Sequence, residues 1–199
     1  MTFYLSVILG GTAAIALVNI LFSLVPVWYY AVFASAACTA LAFALDGLCA
    51  LVIHLFPSKW FLADSPRYRV LPVFVSFYEK LGVKRWKDKV WELGGIGGFS
   101  KKSLSEPLSA AYIERFLIES HKGVLTHRVS YVLGFLPMLL LPGASAFTIA
   151  LPVALVNLYL NILPTIVLRY NTPRLLSLYG RLKRKEEKAK DLKSKAPIL

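Results

Sequence analysis

Residues 1–45 read MTFYLSVILGGTAAIALVNILFSLVPVWYYAVFASAACTALAFAL, and not one of them is Lys, Arg, Asp or Glu. A second uncharged block runs from Val129 to Leu168. A membrane-crossing helix takes about 20 mostly apolar residues, so each block has room for two. Phe3–Val25 is the first expected span, and Pro26 followed by Trp28, Tyr29 and Tyr30 marks a turn at an aromatic interface. Val27–Phe56 is the second, interrupted only by Asp46 and His54. Val124–Leu141 and Phe147–Leu168 are the third and fourth, joined around Pro142-Gly143. Only Val129–Leu141 separates Arg128 from Pro142, which leaves a tilted, broken or re-entrant element open for the third. The expected fold is an all-α integral membrane protein with about four transmembrane helices. An amphipathic helical segment, cytoplasmic or interfacial, lies between the second and third. The expected divisions are a hairpin over 1–56, an interfacial segment over 57–123, a second hairpin over 124–168 and a basic tail over 169–199.

Hydrophobic residues make up 57% of the chain, more than one soluble core of 199 residues can hide. All 23 Lys and Arg residues fall in Lys59–Arg128 and Arg169–Lys195. By the positive-inside rule these segments face the cytoplasm, which puts both termini there and requires an even number of crossings. The net charge of +12 suggests nucleic acid, but no nucleic-acid motif is present. Basic residues beside membrane spans instead suit anionic phospholipid headgroups or a phosphate-bearing substrate. The amino terminus lacks the basic n-region of a signal peptide, so the first span is expected to stay as an anchor.

Within the second span, Ala36, Ala40 and Ala44 form a small-residue stripe expected to pack against another helix. Cys38 and Cys49 have no disulfide or zinc spacing and read as buried packing. Asp46 is a carboxylate at membrane depth, a functional-site candidate by default. The alternative is a protonated or hydrogen-bonded Asp facing Asn19, Asn157 or Asn161 inside the bundle. His54 reads as an interfacial histidine. After the second span, Trp86, Val90 and Leu93 are spaced for one helical face, with Lys84, Arg85, Lys87 and Lys89 around it. The run Gly94-Gly95-Ile96-Gly97-Gly98 is either a phosphate cradle or a plain hinge, and its spacing matches neither a P-loop nor a dinucleotide fingerprint.

A helix starting near Ser109 is expected to carry Ile113, Phe116 and Leu117 into the third span. Glu114, Glu119, His121, Lys122, His127 and Arg128 crowd this entry to the membrane. Snorkelling to lipid headgroups accounts for Lys122 and Arg128. It accounts poorly for His127, since a neutral imidazole adds little anchoring. Asn157 and Asn161 in the fourth span are expected to face the protein interior. Arg169 and Arg174 are each able to grip a phosphate or carboxylate with paired hydrogen bonds. The tail from Arg181 reads as a solvated, lipid-attracted helix.

Three stretches carry a family likeness: Arg85-Trp86-Lys87-Asp88-Lys89; Ile113-Glu114-Arg115 through Ile118-Glu119 with His127 following; and Asn161 with Arg169-Tyr170-Asn171-Thr172-Pro173-Arg174-Leu175. From about Phe56 onward the chain resembles the glycosyl-4,4'-diaponeurosporenoate acyltransferases, bacterial membrane enzymes of carotenoid pathways. The resemblance implies transfer of a fatty acyl group to a sugar hydroxyl of a glycosylated terpenoid or other glycolipid in the cell membrane. It also implies acyl-CoA or acyl-ACP as co-substrate, and no other cofactor. Its motif positions supply the candidate substrate-binding residues Arg85, Trp86, Lys87, Asn161, Arg169, Tyr170, Asn171 and Arg174, and Glu92, an acid that a pure lipid-binding patch would not need, joins them as a candidate.

O-acylation needs a base for the hydroxyl proton and stabilisation of an oxyanion. Histidine suits the first, its pKa lying near working pH, and His127 is the candidate base. Arg169, Asn171 and Arg174 suit the oxyanion or the donor's phosphates. Lys84, Arg85 and Lys87 suit steering of an anionic acyl carrier. Glu119 is the candidate catalytic carboxylate, but eight residues of straight helix rise about 12 Å, so it meets His127 only if the helix breaks at Gly123. Otherwise Glu119 is expected to hold a cation such as Arg85 or Arg169. Glu119, His121 and His127 do not reproduce a helical two-histidine zinc motif, and no metal is expected. Two other readings remain open: a non-catalytic adaptor that binds anionic lipid or a partner protein, and a membrane reductase or methyltransferase acting on a lipid. Four spans without an inverted repeat disfavour a transporter.

Overall fold

The computed structural model describes residues 2–90, 104 and 108–195. Among them every regular element is helical. Helix α1 is Thr2–Leu21 and α2 is Trp28–Leu55. Helix α3 is Pro72–Lys80, α4 is Val83–Trp86, α5 is Ala110–Leu133 and α6 is Leu151–Lys195. Among the described residues three helical stretches are long and apolar enough to cross a membrane: Tyr4–Leu21, Trp28–Leu55 and Ala146–Leu192. The protein is accordingly a helical membrane protein. Its exposed surface agrees, with Phe22 71%, Phe33 72% and Leu55 78% accessible. Water would penalise so much apolar area, whereas lipid covers it while the helices satisfy their own backbone groups.

The chain divides into two units, residues 1–55 with 124–165, and residues 56–123 with 166–199. In the first, α1 ends at Ser23, whose φ of +50 is left-handed, and Leu24 N–H donates to the Asn19 carbonyl. The core joins Ala31, Ala34, Cys38 and Ala42 of α2 to Ile149, Ala150 and Val153. The stripe expected to pack is therefore wrong in phase. Ala36, Ala40 and Ala44 are exposed, and a neighbouring set of small residues makes the close approach. Cys38 and Cys49 are buried as expected, with the Cys49 thiol donating to the Thr126 carbonyl at 3.7 Å. Asn19 donates to the Ile15 carbonyl at 2.9 Å and the Thr148 carbonyl at 2.8 Å, tying α1 to a π-helical turn over Ala146–Ala150.

The third apolar segment is not one continuous helix. Helix α5 stops at Leu133, a 3-10 turn over Leu136–Leu139 follows with Pro137 in it, and Gly143 turns the chain at φ +54. Proline cannot donate the next helical hydrogen bond, so the apolar run is broken where its composition alone would continue it.

In the second unit, α5 begins where expected. Tyr112 N–H donates to the Ser109 hydroxyl at 3.1 Å, and Ala110 N–H donates to a Glu186 carboxylate oxygen at 2.8 Å. Both satisfy donors that a helix start leaves unpaired. Glu186 thus gives the charged tail a structural contact that a merely solvated helix would lack. Ile113, Phe116 and Leu117 pack with Ala63 and Leu175 in the core. The single amphipathic helix expected through Trp86, Val90 and Leu93 is absent as such. Gly82 adopts φ +63 and ends α3, Lys87–Lys89 is a 3-10 turn, and Val90 is extended. Leu93 and the run Gly94–Gly98 lie outside the described residues.

Candidate active site

In the first unit, four polar side chains from three helices form one connected network. Asn161 Nδ2 donates to Asp46 Oδ2 at 2.9 Å, and Asn157 Nδ2 donates to Asp46 Oδ1 at 3.4 Å. Asn161 Nδ2 also faces the Asn157 carbonyl at 3.0 Å and Asn157 Oδ1 at 3.1 Å. Three oxygens around one amide nitrogen settle which end of Asn161 is which. Its Oδ1 then lies 2.8 Å from His127 Nδ1. A carbonyl oxygen only accepts, so Nδ1 carries the proton and the basic lone pair of the neutral ring is on Nε2. Asp46 thus has two of its expected asparagine partners, while Asn19 is engaged elsewhere. Asn157 and Asn161 are buried, as expected of interior-facing asparagines. Gly134 permits the arrangement: a Cβ there would lie 2.6 Å from Asn157 Nδ2.

The second unit gathers the arginines. Arg169 Nε donates to the Tyr78 hydroxyl at 3.1 Å, and its guanidinium lies over the Phe74 ring. Arg174 lies 4.1 Å over the buried Tyr170 ring and donates to the Tyr170 carbonyl and to Glu79 at 3.3 Å. Asn171 is half-buried on the same helix. Arg85 is exposed, Trp86 donates to the Leu81 carbonyl at 3.2 Å, and Lys87 pairs with Asp88 at 3.6 Å. Glu92 lies outside the described residues.

Helix α5 is unbroken at Gly123, so the break that would bring Glu119 to His127 is absent. Glu119 instead lies 3.8 Å from Lys122, a cation on its own helix. Lys122 does not snorkel to headgroups. It is buried, with its ammonium 5.9 Å from the centre of the Phe61 ring. His121 is 1% exposed and stacks on Tyr68 at 4.3 Å. Its Nδ1–H donates to the Phe61 carbonyl at 3.1 Å, while Nε2 has no hydrogen-bond partner among the described residues. Burial pushes the His121 pKa below its ordinary value, against the opposing pull of the Phe61 and Leu62 backbone. His54 is exposed and hydrogen-bonds the Ala50 carbonyl of its own helix at 2.9 Å. Among the described residues no group of three or more His, Cys, Asp or Glu side chains is placed to hold a metal ion.

Sequence reasoning named Asp46, His127, Asn157 and Asn161 but not Gly134, Tyr78 or Glu79. An isolated glycine in a helical run is a signal of close packing, and Gly134 carried it. Nothing local marks Tyr78 or Glu79 as arginine partners. Comparison with curated proteins and with solved structures returns no match. Residues 57–181 match the family described as glycosyl-4,4'-diaponeurosporenoate acyltransferase, a stretch that contains His127, Asn161 and the Arg169–Arg174 motif. Covering more than half of the sequence, this match shows that the chain belongs to the glycosyl-4,4'-diaponeurosporenoate acyltransferase family.

Proposed function

We propose that the protein transfers a fatty acyl group from acyl-CoA or acyl-ACP to a hydroxyl of a glycosylated terpenoid, carotenoid or other glycolipid, with His127 as general base. The observation that carries this reading is the His127 Nδ1–H to Asn161 Oδ1 bond, which leaves the ring's basic lone pair on Nε2. Nε2 takes the proton of the acceptor hydroxyl as its oxygen attacks the thioester carbonyl. The oxyanion then collapses, the C–S bond breaks, and the imidazolium returns the proton to the leaving thiolate. Arg169, Asn171 and Arg174 bind phosphates of the donor, and Arg85 and Lys87 steer an anionic carrier. Trp86 and Tyr170 serve binding, as does Glu92, an acid that a pure lipid-binding patch would not need.

In this reading the protein is a multi-pass protein of the bacterial cytoplasmic membrane with both termini inside. Residues 124–141 complete a fourth crossing between the interfacial segment 57–123 and the span ending at Leu168, and the basic tail 169–199 meets anionic headgroups. Family membership supports the reaction class. The charge distribution supports the orientation. The test is mass spectrometry of lipids from cells with the protein, without it, and with His127→Ala. A species heavier by one acyl group, present only with the unaltered protein, is the expected result. Full acylation by His127→Ala at equal membrane content would remove the base assignment.

A further inference from the structure

Asp46 comes from α2, outside the residues that match the family. Both of its oxygens accept amide hydrogens, one from Asn157 and one from Asn161. An ionised carboxylate cannot donate, whereas each asparagine can present either its oxygen or its nitrogen. Asp46 is therefore the one side chain of this network that fixes its polarity, and it acts together with the Asn157 backbone carbonyl, which accepts from Asn161 Nδ2 at 3.0 Å. With both amide nitrogens turned to Asp46, Asn157 Oδ1 faces Asn161 Nδ2, and Asn161 Oδ1 is left to face His127. If the network ran the other way, Asn161 would offer N–H to His127 Nδ1 and the proton would move to Nε2.

We infer that Asp46 is a positioning residue that acts through Asn161 to hold His127 as the Nδ1–H tautomer, which places the ring's basic lone pair on Nε2. This rests on the reading of His127 as the base. A carboxylate is costly to keep among membrane helices, and this role gives the cost a return. The arrangement is a carboxylate–amide–imidazole chain, in which the amide transmits orientation without itself being charged. The carboxylate also lies on the side of the ring away from Nε2, where its charge favours the imidazolium formed during transfer.

The chain has three histidines, so 15N-histidine labelling of the full-length protein in lipid nanodiscs gives few ring signals to assign. In the unaltered protein above pH 7, His127 is expected to show the proton on Nδ1; a proton on Nε2 overturns the inference without any variant. Asp46→Asn, nearly identical in shape, removes the network's one purely accepting side chain, leaves the Asn157 carbonyl alone to orient Asn161, and is expected to give a mixture of tautomers. It should also lower kcat about 10- to 100-fold with KM within about twofold, because only one tautomer presents a base. Asp46→Glu should recover at least part of kcat, which a packing role would not predict. If Asp46→Asn does not fold, Asn161→Leu carries the same tautomer test, since it deletes the amide while keeping size. An unchanged tautomer in either variant overturns the inference. Acyl transfer that requires His127 but is unaffected in Asp46→Asn sinks the relay and spares the proposed function. A tautomer that depends on Asp46 in a protein with no acyl transfer does the reverse.

Discussion

Gly134 and Asn157 meet so closely that a methyl group on Gly134 would lie 2.6 Å from the Asn157 amide nitrogen. The same methyl would be 3.2 Å from the Ser130 carbonyl, so it has no room to yield on that side. Asn157 must then move, and its bond to Asp46 is the weakest of the network at 3.4 Å. Gly134→Ala is expected to cost about 1–3 kcal/mol by overpacking. Acyl transfer should fall along with it. Thermal melting in detergent and the lipid assay check the two effects, and a variant as stable and active as the parent would refute the packing argument.

The two histidines of α5 separate by function. His127→Ala should lose acyl transfer by about 100- to 10,000-fold, the usual contribution of a general base. His121→Ala removes the stacking on Tyr68 and the bond to Phe61, and should lower stability by about 1–3 kcal/mol with activity within a few-fold of the parent. Equal catalytic losses in both would favour a joint role, such as a shared metal.

His121 also sets a pH dependence. Its folded pKa lies below its ordinary value of 6.5, so the unfolded chain takes up the proton first as pH falls. The contribution to stability is present above about pH 6.5 and is lost as the pH drops through that value toward the folded pKa, with a slope of up to about 1.4 kcal/mol per pH unit. Melting temperature against pH, compared with His121→Leu, isolates it. The variant should show a flatter profile between about pH 5 and 6.5, and an identical slope would contradict the buried neutral state.

Arg174 and Arg169 should answer differently to truncation. The Arg174–Glu79 pair is half-exposed on both sides, so Arg174→Ala should cost under about 1 kcal/mol of stability. If Arg174 binds donor phosphates, the variant should raise the KM for acyl-CoA about tenfold or more, with kcat little changed. Tyr78→Phe removes the hydroxyl that Arg169 donates to and should cost about 1 kcal/mol. Steady-state kinetics and denaturation of purified variants decide both.

Topology is checked by thiol labelling. Cys38 and Cys49 are buried, so the unaltered protein is a quiet background for maleimide reagents. A cysteine placed at Gly143 should react from outside intact cells. One placed at Ser194 should react only after permeabilisation. Labelling of both from the same side would contradict a crossing between them, and the reverse pattern would contradict the proposed orientation.

Membrane residence was legible because it is a property of composition along the chain: charge-free blocks need no partner to be recognised. The start of α5 was legible too, since a capping serine acts on residues next to it in sequence. The packing stripe of α2 was not, because Ala31, Ala34, Cys38 and Ala42 repeat at spacings as helical as Ala36, Ala40 and Ala44. Only a neighbouring helix distinguishes two such faces. The helix through Trp86 and Val90 failed because the backbone tightens into a 3-10 turn over Lys87–Lys89 and leaves Val90 extended, although Val90 is still buried.

By itself, then, the sequence determined a basic, helical membrane protein with an arginine motif and one suspicious carboxylate, since each follows from residue type and near-neighbour order. Tertiary structure alone decided what Asp46 does, because its amide partners lie more than 100 positions away and reach it only when α2 and α6 pack. It also decided that Glu119 pairs with Lys122 and that His127 carries its proton on Nδ1. A hydrogen bond is directional and falls off within an ångström, so its partner is known only once the helices stand at their final distance and rotation.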